Sequence, residues 1–510
     1  CLCFRWEAAP AVVLTAPMAG CCCPELVTAC ELGGTACIAH TAAGATALGQ
    51  GALSAAALDA LGPERAAQML QQLGVDTAQE TFREIGAEDA GALFLKLGSD
   101  FAAELLVNLG MDWVAQLFER LEPNFLGGLF ERVGSRFAGE LLTNLNVEAC
   151  VDLFSRLGTT FCADLFRKLG PNFVQELFMI LGFKFCSDLF RGLSSEWTGE
   201  AHVKMGSRFV IPLYGRLGSS FTAKLFETAG LQFTIEVHAH FGAEFTANLY
   251  SSLGVVYVAD LFQRLGHGFI GALLVSLGQG FVHTLYSKLG ERFCSELFVS
   301  LGKDYASDLF KEMSTGFLAR LFKGLGAPWL VELHSLMGQD FCVSLYCELG
   351  SDFLGTLFAG FGHAFAAQVF AGLDTAFCAE LFRGMGPAFA GQVFRQTSHI
   401  FVGDLFIRLD VPFVIALLSE LGARYCSQLF KVLTPHFVAQ LLLRVGDAWA
   451  VRLFAGLGSS FAGKLLKNLG TSFSVRLAIG LGPSFARKLL ALLGGTWTLG
   501  TLASCSSCTR

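Results

Sequence analysis

The stretch GTTFCADLFRKL, residues 158–169, decides the fold, because variants of it recur every twelve residues from Gly62 to Leu493 without an inserted or deleted residue. The repetition spans 432 residues in 36 consecutive units. We number the positions of each unit from 1 to 12, starting at the glycine. Self-similarity at a short, fixed period is typical of stacked supersecondary units and not of a globular catalytic domain.

Each unit predicts a short amphipathic helix. The apolar positions are 4, 8, 9 and 12, with a small residue usually at position 5, and these steps follow a helical period. At about 100° per residue the five positions fall within an arc of roughly 140°. Most of the charge lies at positions 3, 6, 7, 10 and 11, which occupy the opposite side of the helix.

Position 1 predicts where one helix ends and the next begins. It is Gly in 28 of the 36 units, and a Gly after an apolar-periodic run is the expected C′ residue, because it accepts positive φ in the αL conformation. Ser or Thr at position 2, as at Ser99, predicts an N-cap there. We therefore expect helices of about nine or ten residues joined by turns of two or three residues. Position 1 is not Gly at Glu122, Asn146, Ser194, Ser314, Asp374, Ser398, Asp410 and Thr434.

Helices this short must be stabilised by stacking, because a lone helix of about ten residues is marginal in water. Short turns favour antiparallel neighbours. The sequence thus predicts an all-α fold, an α-solenoid of short antiparallel helices whose apolar arcs face inward. We favour 24-residue helical hairpins as the packing unit, since Leu417 and Leu441 belong to a 24-residue recurrence, although Tyr214 and Tyr250 recur at 36 residues, which leaves a three-helix unit as an alternative.

The pattern divides the chain into four segments. Residues 1–49 are an irregular Cys/Ala/Gly-rich segment, which we interpret as disordered or targeting. Residues 50–97 are degenerate capping repeats, since Arg65, Thr77 and Asp89 replace the position-4 aromatic. Residues 98–493 form the regular array, and residues 494–510 are a partial repeat followed by a polar tail.

The charge, the apolar runs and the cysteine positions of the sequence limit the classes of function and the compartment that we expect. A net charge of −7 argues against a dedicated nucleic-acid binder. We find no run of 18 apolar residues free of charge or Gly, so we expect no membrane span. Of the 17 cysteines, eight lie in the array, and seven of those occupy position 5, where a small buried apolar residue is expected. This pattern resembles no disulfide framework and favours a reducing intracellular compartment.

The sequence carries no catalytic motif: G-x-S-x-G, H-E-x-x-H and the Walker loop are all missing. His202, His238 and His334 each occupy position 9, and we interpret them as hydrogen-bonded core residues. We predict no enzyme activity, no cofactor, no metal site and no small-molecule substrate.

Lys and Arg at positions 10 and 11 form a candidate binding stripe. One interpretation is ordinary helix electrostatics, through i,i+4 pairs such as Asp260–Arg264 and Asp404–Arg408. The other is a ladder that grips RNA phosphates or an acidic protein. The stripe comprises Arg120, Arg132, Arg156, Arg167, Lys168, Arg191, Arg216, Arg264, Lys288, Arg383, Arg408 and Arg444.

Pro212 falls inside a predicted helix and marks a candidate kink, because an interior Pro removes a backbone hydrogen bond.

Taken together, the sequence favours a non-enzymatic helical-repeat scaffold that binds another macromolecule, with protein as the expected partner. The first alternative is an RNA-binding repeat protein that uses the candidate stripe. The second is a membrane-surface protein with amphipathic helices in the interface.

Overall fold

In the computed structural model of the chain, residues 55–493 are described. The chain divides into two units, Cys1–Ala57 and Leu58–Arg510, and the fold below is that of the second. The interpretations of residues 1–49 and 494–510 fall outside the described residues. Within residues 55–493 all regular secondary structure is α-helical, which confirms the all-α fold. The helices are α1 (Ala55–Ile85), α2 (Ala87–Leu97), α3 (Ser99–Leu109), α4 (Met111–Leu193), α5 (Ser195–Met205), α6 (Ser207–Ala229), α7 (Leu231–Leu253), α8 (Val255–Leu265), α9 (His267–Leu301), α10 (Lys303–Met313), α11 (Thr315–Leu325), α12 (Ala327–Met337), α13 (Gln339–Leu349), α14 (Ser351–Val445), α15 (Asp447–Leu469) and α16 (Thr471–Leu493).

A single residue joins one eleven-residue helix to the next. The N–H of Gly98 donates to the carbonyl of Phe94 at 2.9 Å, and the carbonyl of Gly98 accepts from the N–H of Ala102 at 3.1 Å. Gly98 therefore ends one helix and begins the other. The longer helices contain the same junction, as at Gly158 of α4 with φ 73° and ψ 166°.

These junctions correct three expectations. The helices are longer than nine or ten residues because no residue is left over for a multi-residue turn. The junction is also not αL: its ψ near 160° lies far from the ψ of about 47° of that conformation. Position 1, and not position 2, is the N-cap, as Ser194 shows by accepting from the N–H of Trp197 at 3.2 Å.

Each helix packs along the helix three units further on, 36 residues later. The single-unit helices α10, α11, α12 and α13 make few contacts with their immediate neighbours, whereas α10 packs along α13. The expected 24-residue hairpins are therefore not the packing unit. An αα-hairpin uses a loop of about two to five residues, and a one-residue junction is too short for it.

The packed helices are parallel. Position 2 of one unit meets position 7 three units later, as Ser135 meets Glu176. Position 6 meets position 11 in the same way, as Gly391 meets Val432. Both pairs are 41 residues apart and advance in the same direction along the two helices. The helices that stack on each other are consequently not antiparallel.

The core contains a column of position-9 side chains, which we call the position-9 column. Rings from consecutive units meet edge to face, with centroids 5.3 Å apart for Phe298–Phe310 and 6.2 Å for Phe310–Phe322. Such geometry is favourable for aromatic pairs. The position-8 leucines are buried beside the column, as Leu309 is. The junction between consecutive helices thus places one apolar ring on the next.

Pro212 does not interrupt its helix. Within α6 the one residue with non-helical dihedral angles is Gly218, the ordinary junction. The candidate kink at Pro212 therefore has no counterpart in the backbone of α6.

One helix, α9 (His267–Leu301), is long and apolar enough to cross a membrane by length and composition. Non-helical residues at Gly278 and Gly290 divide it into three eleven-residue helices. At about 1.5 Å per residue each is roughly 16 Å long, about half the thickness of a bilayer's hydrocarbon core. The continuous span that length and composition suggest is therefore not formed.

Candidate functional site

Seven of the twelve residues in the candidate stripe form ion pairs with neighbouring acids, and several of these pairs join stacked helices. Arg120 pairs with Asp76 and Arg156 pairs with Asp112, in each case from position 11 to position 3 of the helix three units earlier. Lys288 reaches Glu244 at 3.2 Å in the same register. The seven paired residues are Arg120, Arg156, Arg167, Arg264, Lys288, Arg383 and Arg444.

The i,i+4 pairs expected from sequence form only in part. Arg264 donates to Asp260 at 2.7 Å, as expected. Asp404, expected to pair with Arg408, instead accepts two hydrogen bonds from Arg444 at 2.9 and 3.0 Å. These bonds from the stacked helix are the main reason why the pKa of Asp404 lies below its usual range. The competing partner lies 40 residues away and is visible only once the stacking is known.

The other five stripe residues, Arg132, Lys168, Arg191, Arg216 and Arg408, have no ion pair within the described part of the chain. The aliphatic stems of two of them cover position-6 glycines. A Cβ on Gly91 would lie 2.6 Å from Cγ of Arg132, and one on Gly127 would lie 2.3 Å from Cγ of Lys168. Long basic side chains often cover apolar surface in this way.

Position-10 side chains cap the ends of stacked helices. Arg83 donates to the carbonyl of Arg120 at 2.8 Å, and Gln263 donates to the carbonyl of Ser300 at 3.4 Å. Both acceptors lie 37 residues further on, in the last turn of a helix, where carbonyls lack intrahelical partners. Polar side chains at position 10 can therefore stabilise the stacked helices, and they need not be reserved for binding a ligand.

Position-7 acids are held by hydroxyls at position 2, an arrangement that sequence reasoning missed. Ser135 donates to Glu176 at 2.7 Å and Thr159 donates to Glu200 at 3.0 Å, each across 41 residues. At Glu236 the hydrogen bond from Ser195, assisted by Gln232, lowers the pKa of the carboxyl. The signal was present as Ser or Thr followed 41 residues later by Glu or Asp.

Exposed apolar side chains at position 10 form a strip on stacked helices. Ile407, Leu443 and Ile479 are 45%, 39% and 73% exposed, respectively. Each is 36 residues, or three units, after the one before it. The three residues therefore occupy the same position on three helices that stack on one another. We call these three residues the apolar strip.

Three buried His–Tyr pairs interrupt the aromatic column. His202 contacts the carbonyl of Thr198 through Nδ1 at 2.7 Å, and its Nε2 lies 3.2 Å from the hydroxyl of Tyr214. Because a carbonyl can only accept, Nδ1 carries the proton and Nε2 accepts from Tyr214. His238 with Tyr250 and His334 with Tyr346 repeat the arrangement. Burial lowers the pKa of all three imidazoles.

The His–Tyr pairs agree with the interpretation of these histidines as hydrogen-bonded core residues. Sequence reasoning noticed the tyrosines at their 36-residue spacing and missed that Tyr follows each position-9 His by twelve residues. In the described residues no group of three or more His, Cys, Asp or Glu side chains is arranged to hold a metal ion.

The position-5 cysteines are buried, unreactive thiols. Cys186 lies with its Sγ 3.9 Å from the carbonyl of Phe178, and Cys378 lies 3.6 Å from that of Phe370. Burial raises the pKa of both thiols to about 12. A thiol with so high a pKa supplies little thiolate at neutral pH, so burial leaves these residues a packing role in the core.

Together, the fold and this surface define an all-α protein with a mixed polar exterior. A family model described as the MgtE intracellular N domain matches residues 61–150. No curated protein matches the chain, and no solved structure matches it. The match covers most of the degenerate capping repeats and the beginning of the regular array.

Proposed function

We propose that the chain is an α-solenoid, a non-enzymatic helical-repeat scaffold whose surface binds a protein partner. The repeat architecture is supported by the regular junction at every twelfth residue and by the packing of each helix along the third helix after it. Arrays built this way contact only near neighbours and offer extended binding surfaces. The match to the MgtE intracellular N domain over residues 61–150 agrees with the helical character of the chain.

The apolar strip is the observation that carries the choice of a protein partner. Protein-binding surfaces bury apolar side chains at their centre and carry polar residues around them. Ile407, Leu443 and Ile479 would provide such a centre on three stacked helices. Basic side chains flank the strip in sequence at Arg408 and Arg444 and would form part of its rim.

The two alternatives have less support. RNA binding requires a continuous set of basic side chains, and seven of the twelve candidates are engaged with acids on their own or stacked helices. Binding in a membrane interface requires exposed apolar arcs, whereas arc residues such as Leu309 and Phe310 are buried in the core.

The test compares three forms of the full chain as bait in a lysate of the source organism. The strip variant carries Ile407→Ser, Leu443→Ser and Ile479→Ser. The matched control carries Val107→Ser, Met179→Ser and Val203→Ser, which are also exposed position-10 residues. We expect proteins that bind the wild type and the control, survive nuclease, and are lost with the strip variant.

The proposal fails if nuclease abolishes retention, or if the strip variant retains the same proteins as the wild type. In the first case the decisive variant would be Arg132→Gln with Lys168→Gln, since these two stripe residues have no ion pair in the described part of the chain. Quantitative mass spectrometry of the retained fraction distinguishes these outcomes.

A further inference from the structure

The position-9 column changes composition towards the end of the described array. In its middle the column is aromatic, and stacked rings such as Phe370, Phe382 and Phe394 follow one another with centroids 5.7 to 6.1 Å apart. After Phe406 the rings become intermittent. The later members are Leu418, Phe430, Leu442, Phe454, Leu466 and Ala478.

The smaller side chains leave a cavity of about 290 Å³. Leu442, Leu466 and Ala478 line it, together with Trp449 and Phe461. An isolated leucine has a smaller effect: Leu106, with ring-bearing units around it, lines a cavity of about 50 Å³. The cavity among Phe370, Phe382 and Phe394 is about 20 Å³. The large cavity is thus explained by repeated loss of rings from the column.

The cavity wall presents hydrocarbon. The one hydroxyl in the wall, that of Ser474, donates to the carbonyl of Gly470 at 2.9 Å. The Sγ of Cys426 lies 3.7 Å from the carbonyl of Leu418. A water molecule needs about two to four polar partners to occupy a site, and this wall supplies few. An apolar cavity of about 150 Å³ stays dry and binds benzene, and this one is about twice that size.

The cavity is also accessible and elongated. Ala478 is exposed, and Leu477 and Leu481 are half-buried, so the wall opens near the last described helix. From there it extends past Leu466 and Leu442 to Phe406, which belongs to a unit six repeats earlier. A narrow space that follows successive members of the column suits an unbranched chain better than a compact ring system.

We propose that residues 406–481 form a binding site for a single unbranched alkyl chain of a neutral amphiphile. The chain occupies the space of the missing position-9 rings, and its polar end lies at the opening beside Ala478. The driving force is the burial of apolar surface against Leu, Phe and Trp side chains. This site is independent of the apolar strip, whose residues do not line the cavity.

The test is a titration of the full chain with N-decyl dansylamide, a neutral dye that carries one unbranched alkyl chain and fluoresces in apolar surroundings. We expect saturable binding of one dye molecule per chain and displacement by 1-decanol. Leu442→Phe restores the common ring within the buried part of the column and should weaken dye binding at least tenfold. Val475→Phe, at an exposed position that neither lines the cavity nor belongs to the apolar strip, is the matched control and should bind as the wild type does.

Leu466→Phe is a second filling variant at a half-buried position, and it keeps the test decisive if Leu442→Phe does not fold. The helical circular dichroism of each variant is measured beside the titration. The proposal is overturned if the wild type does not bind the dye or if decanol does not displace it. Unchanged binding by a folded filling variant also overturns it, since the dye would then lie elsewhere.

Discussion

Eight junction residues hold a backbone conformation that otherwise belongs to glycine. With φ near +70° and ψ near +160°, as at Glu122 and Asp410, they lie in a region that is essentially restricted to Gly and costs about 1–3 kcal/mol otherwise. Seven of them compensate with an N-cap bond, such as Asp410 to the N–H of Phe413 at 2.9 Å. Glu122 is the exception, since its carboxylate instead lies 3.4 Å from Arg83.

Replacing Glu122 by Gly should therefore stabilise the chain. The substitution relieves the strain and loses an exposed ion pair of about 0–1 kcal/mol, while the freedom of Gly in the unfolded chain opposes it by about 0.5–1 kcal/mol. We expect a net gain of about 1 kcal/mol, measured as slower amide exchange in residues 111–133. Asp410→Gly is the control and should stabilise the chain less, because it also removes a capping hydrogen bond, which costs roughly a few tenths of a kcal/mol when Gly is the replacement. Equal effects of the two substitutions would show that the cap at Asp410 contributes nothing.

At the scale of the helix, stacking depends on complementary sizes at positions 6 and 11. Where position 6 is Gly, position 11 of the stacked helix is large, as in Gly391 and Val432. At several units where position 11 is Gly, the large residue is at position 6, as in Val331 and Gly372, whereas Ala319 faces Gly360. A Cβ on Gly391 or Gly372 would lie 2.6 Å from a Val methyl carbon. The large side chain can therefore come from position 6 or from position 11, provided that the facing position is Gly.

This rule predicts a rescue. Gly391→Val alone should destabilise the stack by about 1–3 kcal/mol, as overpacking of a filled interior does. Adding Val432→Gly recreates the arrangement of Val331 and Gly372 and should restore most of the loss. Thermal unfolding of the full chain, followed by circular dichroism, measures both steps. A double variant less stable than Gly391→Val would mean that the helices do not stack at a spacing of 36 residues.

Sequence periodicity predicted the helices and their buried face, because these follow from the position of apolar residues within one unit. It did not predict the stacking, because partners 36 to 45 residues apart leave no trace in a single unit. Arg156, for example, meets Asp112, 44 residues earlier. For the same reason the candidate stripe could be named residue by residue while its ion pairs to stacked helices could not.

On the scale of the whole array, stability is the sum of similar contacts between near neighbours, so departures from the common unit act locally. The position-9 column has three regions that differ in composition. It is largely aromatic in most units, carries His–Tyr pairs between His202 and Tyr346, and loses rings after Phe406. The buried histidines are the members of the column that can take up a proton as the pH falls into mild acid.

Those histidines should make the array unstable in mild acid. Burial lowers their pKa in the folded chain below the ordinary value of 6.5, so the unfolded chain binds more protons as the pH falls through 6.5. Stability is then fully present above that pH and decreases below it.

Changing His202, His238 and His334 to Phe, with Tyr214, Tyr250 and Tyr346 also changed to Phe, gives each site the common ring and leaves no hydroxyl without an acceptor. We expect this variant to lose much of the decrease in unfolding temperature that the wild type shows between pH 6.5 and 5. His436→Gln, at an exposed position, should behave as the wild type. If all three proteins lose stability equally over this range, the acid sensitivity arises outside the position-9 column.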